Sequence, residues 1–160
     1  MNILPAAPEH AGEIARLAAI VWRADYPGIL SSEQIEYMLQ KMYDPRVVRR
    51  EMAEGIRYIR LVDDVELLGF ASYGPSGDEV KLHKLYVHPD HQRRGFGSAL
   101  LRHVESASHG RTLMLTVNKR NEKAIGAYRK NGFAVRDSIV VDIGAGFVMD
   151  DYVMAKAVQV

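Results

Sequence analysis

The 160-residue chain has no cysteine and a single tryptophan. The lack of cysteine excludes disulfide bonds, thiolate metal ligands and cysteine nucleophiles. No apolar run approaches the roughly 20 residues that a membrane-spanning helix needs, so we expect no membrane partner. An excess of one charge sign is also missing, because 21 basic residues face 20 acidic ones. This balance argues against nucleic acid as a partner.

What remains is the composition of an ordinary globular protein, with 48% hydrophobic and 26% charged residues. The length suits one domain with a real core, and we expect a single domain over residues 1–160. The N-terminus has no apolar targeting segment, which predicts an unprocessed, cytoplasmic protein.

The first half of the chain passes from a short extended start to helices and then to strands. Apolar residues at helical spacing predict a helix over 8–26, a second after Ser31 and a short third that ends before Gly55. Three β-like runs follow, and together they predict an antiparallel meander. These runs are residues 56–62, 66–73 and 79–87. The turn-forming residues 74–78 are expected to join the last two.

The second half alternates helix and strand before it ends in β-like sequence. We predict a helix over 93–108, a buried strand over 112–118, a helix over 121–130 and a terminal hairpin of 135–143 with 147–155. The order implies an α+β fold whose sheet has one strand-helix-strand crossover in its middle.

A glycine-containing segment, Gln92-Arg93-Arg94-Gly95-Phe96-Gly97-Ser98, lies between a predicted strand and a predicted helix. The pair of glycines is weak evidence alone, but unpaired N–H groups at a helix N-terminus are natural ligands for phosphate oxygens. The two arginines add charge-assisted contacts. Other phosphate motifs are incomplete: there is no Gly-Lys-Ser/Thr, and Leu100 replaces the third glycine of a dinucleotide fingerprint.

Two further segments, Lys84–Pro89 before this loop and Asn121–Phe133 after it, extend the pattern. With the loop they resemble the GNAT N-acetyltransferase superfamily, whose motif is Q/R-x-x-G-x-G/A at the end of a central strand. The resemblance implies a GNAT-like, mostly antiparallel mixed sheet of about six to seven strands, flanked by helices and with splayed central strands. It also implies acetyl-CoA as the acetyl donor, with no metal.

The same resemblance assigns the cofactor-binding residues. The pantetheine arm is expected along Leu85, Tyr86 and Val87. The pyrophosphate is expected on Gln92, Arg93, Arg94, Gly95, Phe96, Gly97 and Ser98. Asn121 is expected as a further cofactor contact, although a plain helix N-cap explains it equally well.

The reaction needs a proton for the leaving thiolate and a neutral amine. Tyr128 matches the tyrosine of Asn-x-x-Ala-x-x-x-Tyr and is the expected acid, although helical packing also explains its position. Many relatives carry glutamate on the strand before the loop, whereas this chain has Lys81 and His83. We expect His83 to act as the base, directly or through water; the alternative is a histidine that only fills the strand's face, and Glu79 is a weaker candidate.

The acceptor pocket is expected from the first two helices and the last hairpin. Trp22 and Tyr26 are the expected substrate-binding residues, because aromatic faces flank organic cations, although core packing also accounts for them. Asp142, Asp150 and Asp151 are carboxylates that could pair with a cation.

The sequence therefore predicts an N-acetyltransferase that moves an acetyl group directly to a primary amine of a small molecule or peptide. The sequence is also compatible with a homodimer. Polyamines are a candidate acceptor only because similar enzymes acetylate them. An acyl-CoA-binding sensor without turnover is the alternative, and nucleotide binding is a weaker third. The remaining histidines show no metal-ligand spacing.

Overall fold

Seven strands and five α-helices make up the fold in the computed structural model, which describes residues 1–160. The strands are β1 (Asn2–Pro5), β2 (Arg57–Asp63), β3 (Glu66–Ser76), β4 (Glu79–Val87), β5 (Thr112–Asn118), β6 (Ala134–Gly144) and β7 (Phe147–Ala157). The helices are α1 (Ala11–Asp25), α2 (Ser32–Tyr43), α3 (Pro45–Ala53), α4 (Phe96–Ser106) and α5 (Glu122–Lys130).

Local sequence explains where the early helices begin. The Ser31 hydroxyl accepts a hydrogen bond from the Gln34 N–H at 3.1 Å and so caps α2. Asp44 caps α3 in the same way through the Arg46 N–H at 2.8 Å, and Pro45 occupies the first helical position, where no N–H is needed. Helices α2 and α3 therefore meet at one residue.

The strands form one mixed sheet in the order β1-β2-β3-β4-β5-β7-β6. Every neighbouring pair is antiparallel except β4 with β5, which are linked through α4. That parallel pair has only two registered positions, Val80 with Leu113 and Lys81 with Met114, after which the strands separate. The splayed, mostly antiparallel GNAT-like sheet expected from the sequence is confirmed.

Helices cover both faces of the sheet, and each face has its own core. One core joins the sheet to α4 and α5 and includes Leu100, Leu113 and Met154, all completely buried. The other joins it to α1, α2 and α3 and includes Ile14, Met38 and Phe70. Because β4 and β5 separate between these layers, the opening between them connects the two sides of the sheet.

Two predicted boundaries were wrong. Strand β3 runs through Gly74 and Pro75 to Ser76, so only Gly77 and Asp78 form the turn. Pro75 is tolerated because β2 no longer pairs there, and proline suits the edge of a ladder. Helix α4 begins at Phe96 rather than at residue 93, because Arg93 (φ 65°) and Gly95 (φ 80°) have left-handed backbones that cannot belong to a helix.

The predicted helix over 8–26 is divided into two elements. A short 3₁₀ turn over Pro8–His10 precedes α1, which begins at Ala11. The His10 ring accepts a hydrogen bond from the Ala7 N–H at 2.8 Å, which fixes the chain's entry into the helix.

Candidate active site

A cavity of about 890 Å³ opens where β4 and β5 separate. The glycine segment, the N-terminus of α5, and residues of α1, α2, β4, β5 and β7 all line it. Of the sequence-predicted site residues, all line the cavity except Arg94, which is exposed. The sequence prediction and the geometry therefore point to one place in the molecule.

The glycine segment presents a row of unpaired donors. The backbone N–H groups of Gly95, Phe96, Gly97 and Ser98 donate to no group within the protein, and no side chain caps α4. The left-handed backbone of Gly95 turns the chain into the helix, so these groups lie together at its positive end. Arg93 is exposed beside them. The arrangement suits the oxygens of a pyrophosphate.

Gln92 holds this loop in place. Its side-chain amide donates to the Val87 carbonyl at 3.1 Å and to Asp25 of α1 at 3.0 Å, and its oxygen accepts from Lys123 of α5 at 2.6 Å. Because all these polar atoms are engaged within the protein, Gln92 is positioned to shape the loop between β4, α1 and α5.

The edge of β4 facing the opening is also unpaired. The His88 N–H donates to Leu68 of β3 at 2.8 Å, so by alternation Leu85 and Val87 point their backbone groups away from β3 and toward the opening. The Val87 carbonyl confirms this direction, since its hydrogen bond comes from the Gln92 side chain. An extended amide-bearing ligand can complete such an edge by strand addition.

Tyr128 reaches the cavity from α5. Its ring packs edge-on against Phe133 with 5.6 Å between centroids, and the side chain is half-buried. Burial raises the pKa of Tyr128 to about 12. The phenol therefore keeps its proton throughout the neutral range and can donate it to a developing anion.

His83 lines the cavity at a β-bulge. Strand β3 pairs Ser72 with Lys84 and Tyr73 with Leu82, which leaves His83 as the extra residue. Burial, and then the positive charge of Lys81, lower the pKa of His83 below its usual 6.5, while Glu51 opposes them. The imidazole is consequently neutral at pH 7, which is the state that accepts a proton.

Aromatic rings form the wall on the α1 side. Trp22 stacks on Tyr26 at 4.2 Å between ring centroids and lies 5.3 Å from Tyr43. The Tyr86 side chain belongs to this cluster, with its hydroxyl 2.8 Å from that of Tyr43. Tyr86, predicted to contact the cofactor, lines the cavity, and its side chain packs among these rings on the face opposite that of Leu85.

Asn121 stands at the start of α5. Its side-chain oxygen accepts a hydrogen bond from the Ala124 N–H at 3.2 Å, so it is the N-cap of the helix as well as a cavity residue. The capping role explains why an asparagine occupies this position without any ligand.

Sequence reasoning missed Lys84, which is buried in the wall behind the aromatic cluster. Its ammonium donates to the Met42 carbonyl at 2.7 Å, to Tyr58 at 2.7 Å and to Glu51 at 2.9 Å. Burial lowers the pKa of Lys84, and the Glu51 carboxylate opposes that shift. The sequence signal for the burial of Lys84 was a lysine that alternates with apolar residues on a central strand.

The burial of Asp151 was also missed. The sequence grouped it with Asp142 and Asp150, but Asp142 accepts from the Gly144 N–H at 2.8 Å in a turn, and Asp150 pairs with Lys119 at 2.7 Å. Asp151 is only 2% exposed, lines the cavity, and has one carboxylate oxygen without any hydrogen-bond partner. Alternation along β7, which places it beside Met149 and Val153, could have indicated this.

No group of three or more metal-ligating side chains comes together in the structure. None of the helices is long and apolar enough to cross a membrane.

Comparisons with known proteins agree with this geometry. A model of the acetyltransferase (GNAT) family matches residues 15–133. The spermidine N(1)-acetyltransferase of Thermoplasma acidophilum is 27% identical over 146 residues, which cover 86% of each chain. The ribosomal protein bS18-alanine N-acetyltransferase of Escherichia coli K12 is 36% identical over 85 residues, covering 50% of this chain and 57% of that protein.

The fold itself matches solved structures. The PaiA N-acetyltransferase from Thermoplasma acidophilum, solved in complex with coenzyme A, superposes with a TM-score of 0.82 at 24% identity and covers 98% of this chain and 99% of its own.

Two features of the structure itself fit coenzyme A. The unpaired N–H groups of Gly95–Ser98 suit a pyrophosphate, and the edge of β4 around Leu85, which no strand pairs, suits the amides of a pantetheine arm. Both features open into the same cavity. The residues therefore fit the cofactor that the family uses. The chain belongs to the acetyltransferase (GNAT) family, and it is an acetyl-CoA-dependent N-acetyltransferase.

Proposed function

We propose that the protein transfers an acetyl group directly to a primary amine of a small molecule or peptide, within the cavity between β4 and β5. The observation that carries the proposal is that one cavity is lined both by the glycine segment and by the aromatic wall and β7. Donor and acceptor can thus enter from opposite sides of the sheet and meet beside Tyr128. Relatives named for spermidine and for a ribosomal protein alanine support an amine as the acceptor.

Each group of residues has a proposed task. The N–H groups of Gly95–Ser98, with Arg93, hold the pyrophosphate, while the backbone of Leu85 and Val87 orients the extended arm. Acetyl-CoA supplies the acetyl group as a thioester. Tyr128 provides the proton for the leaving sulfur from its hydroxyl, and the neutral ring of His83 accepts the amine's proton, directly or through water.

Residues outside the catalytic pair complete the proposal. Trp22 and Tyr26 form the acceptor wall, and α2 joins it to the terminal hairpin, since the Gln34 amide donates to the Val148 carbonyl at 3.0 Å. We assign one N-acetyltransferase domain to residues 1–160, because all seven strands belong to one sheet.

The proposal is tested by following free thiol release from acetyl-CoA in the presence of separate amines. The panel contains polyamines, amino acids, peptides and aminoglycosides, with a reaction lacking amine as the control. We expect thiol release that depends on at least one amine and is matched by the acetylated product in mass spectra. Binding of acetyl-CoA without turnover on any of them would instead support a binding module.

His83→Ala is expected to alter the acid limb of the pH profile. A base must be unprotonated, and the pKa of His83 is lowered, so kcat of the native enzyme should fall only at pH values below about 6.5. The variant should have a lower kcat at neutral pH and lack that limb. Measuring kcat from pH 5 to 9 checks this.

His103→Ala is the matched control for this variant, because His103 is partly buried in α4 but lies outside the cavity. A profile of His83→Ala that coincides with those of the control and the native enzyme would remove His83 from the reaction.

A further inference from the structure

The cavity contains a buried carboxylate on β7 with an oxygen that makes no hydrogen bond within the protein. Asp151 lies on β7 opposite Asn118 of β5, on the strand next to the opening, and is 2% exposed. One of its oxygens has no hydrogen-bond partner. A buried carboxylate without partners is costly to a folded protein, which makes an unpaired one facing a cavity a candidate for ligand binding.

The charges around Asp151 leave it available. Lys119, at the end of β5, is occupied by Asp150 at 2.7 Å, and Lys81 projects from β4. Burial, and then the charge of Asp150, raise the pKa of Asp151 to about 6, while Lys81 and Lys119 oppose the shift. The group is therefore negative at pH 7 and above.

The other carboxylates that line the cavity lie elsewhere in it. Asp25 accepts a hydrogen bond from Gln92 at the loop end, and Glu122 is exposed in the first turn of α5. The lining of the cavity also includes the thioether side chains of Met38, Met42 and Met149, and Met149 lies beside Asp151 on the same face of β7. An unbranched methylene chain that ends in a cation matches a flexible apolar wall with one anion in it.

The nitrogen that attacks a thioester must carry a free electron pair. A carboxylate that stabilises an ammonium ion would oppose loss of the proton from that same nitrogen. Asp151 serves acetylation best when the cation it binds is a second nitrogen, and a diamine or polyamine provides one.

We propose that the Asp151 carboxylate binds the non-reacting ammonium group of an aliphatic diamine or polyamine and thereby selects it as the acceptor. This inference rests on the proposed function and adds the substrate class and the residue that recognises it. Asp151 acts here as a specificity-determining residue. No proton is transferred at it, and no covalent bond forms or breaks there.

A pair of amines of equal chain length tests the proposal. Butane-1,4-diamine carries the second ammonium, and butylamine lacks it. In the native enzyme, kcat/KM should be at least about tenfold higher for the diamine, mainly through KM. Asp151→Asn should reduce that preference to near unity, while the dissociation constant of acetyl-CoA stays unchanged.

The matched control is Asp142→Asn, which removes the same charge from β6, the other strand of the hairpin. It should keep the preference, because Asp142 is exposed, does not line the cavity and leaves the pair of Asp150 with Lys119 intact. Lowering the pH through 6 should raise KM for the diamine in the native enzyme and in this control, but not in Asp151→Asn, since Asp151 loses its charge there.

A binding measurement separates this inference from the proposed function. The diamine should raise the melting temperature of the native protein and of Asp142→Asn, but not that of Asp151→Asn. If the native protein acetylates no amine yet shows this pattern, the proposed function fails and the ammonium site stands. Turnover of other amines, with diamine preference and melting shifts identical in the native protein and Asp151→Asn, would overturn the role of Asp151 alone.

Discussion

Tyr128→Phe is expected to lower kcat for amine acetylation by about a hundredfold or more, as loss of a general acid does. Phenylalanine keeps the edge-on packing against Phe133 and removes only the hydroxyl that faces the cavity. The melting temperature and the dissociation constant of acetyl-CoA should therefore remain unchanged. Steady-state kinetics with the best amine of the panel measure the effect.

The pH dependence adds a second check on the same residue. An acid must be protonated, and burial raises the pKa of Tyr128 to about 12, so the phenol should cause no alkaline loss of rate up to pH 10. Tyr73→Phe is the matched control, because it removes a hydroxyl from a buried tyrosine that does not line the cavity. Equal rates for Tyr128→Phe and this control would mean that the proton comes from elsewhere.

Lys84→Met is expected to destabilise the fold by about 3 kcal/mol, since removing one partner of a buried pair leaves the other uncompensated. The Lys84 side chain is 2% exposed, and Glu51, its partner, is 21% exposed. The Tyr58 hydroxyl, which donates to Glu51 at 2.5 Å, retains part of the network. Denaturant unfolding followed by circular dichroism measures the change.

The consequence for function follows from the position of Lys84. Its hydrogen bonds tie α2 and α3 to the sheet behind Tyr43, so the variant should also loosen the aromatic wall. Lys81→Met, on the same strand and without an ion pair, is the control and should cost little. Lys84→Met combined with Glu51→Leu should recover much of the lost stability, because apolar residues often replace a buried pair without loss. A Lys84→Met protein as stable as the control would contradict this account.

Much of the fold was predictable because local patterns and global topology agree. The crossover through α4 follows from an amphipathic helix between two β-like runs, and the glycine segment marks the point where β4 ends. The terminal hairpin was predicted within a residue or two of β6 and β7. These elements bury faces that their own sequence periodicity already defines.

Other features depend on contacts that no local pattern records. The bulge at His83 exists because β3 and β4 shift register at Ser72 and Tyr73, and the strand pattern of β4 alone does not show it. Pro75 looked like part of a turn, yet it remains in β3 because the neighbouring strand has already ended. In both places the deciding factor is the partner strand.

Only the part of the site that is built from one stretch of sequence was predictable. The residues proposed to bind phosphate are contiguous in sequence, so their motif is visible, whereas the proposed acceptor wall is assembled from α1, α2, β4 and β7. Asp150 and Asp151 are identical residues side by side, and only the packing of β7 distinguishes a solvated carboxylate from a buried one. The residues that recognise the substrate are therefore the hardest to predict from the sequence.

We propose that the acetyl group passes directly from acetyl-CoA to an amine inside the cavity between β4 and β5. The most direct measurement incubates the protein with acetyl-labelled acetyl-CoA, first without amine and then with butane-1,4-diamine, and follows the label by mass spectrometry. Direct transfer predicts that the protein carries no label in the first reaction and that the diamine carries the label in the second. Label on the protein chain before the amine is added, with transfer from there, would contradict it.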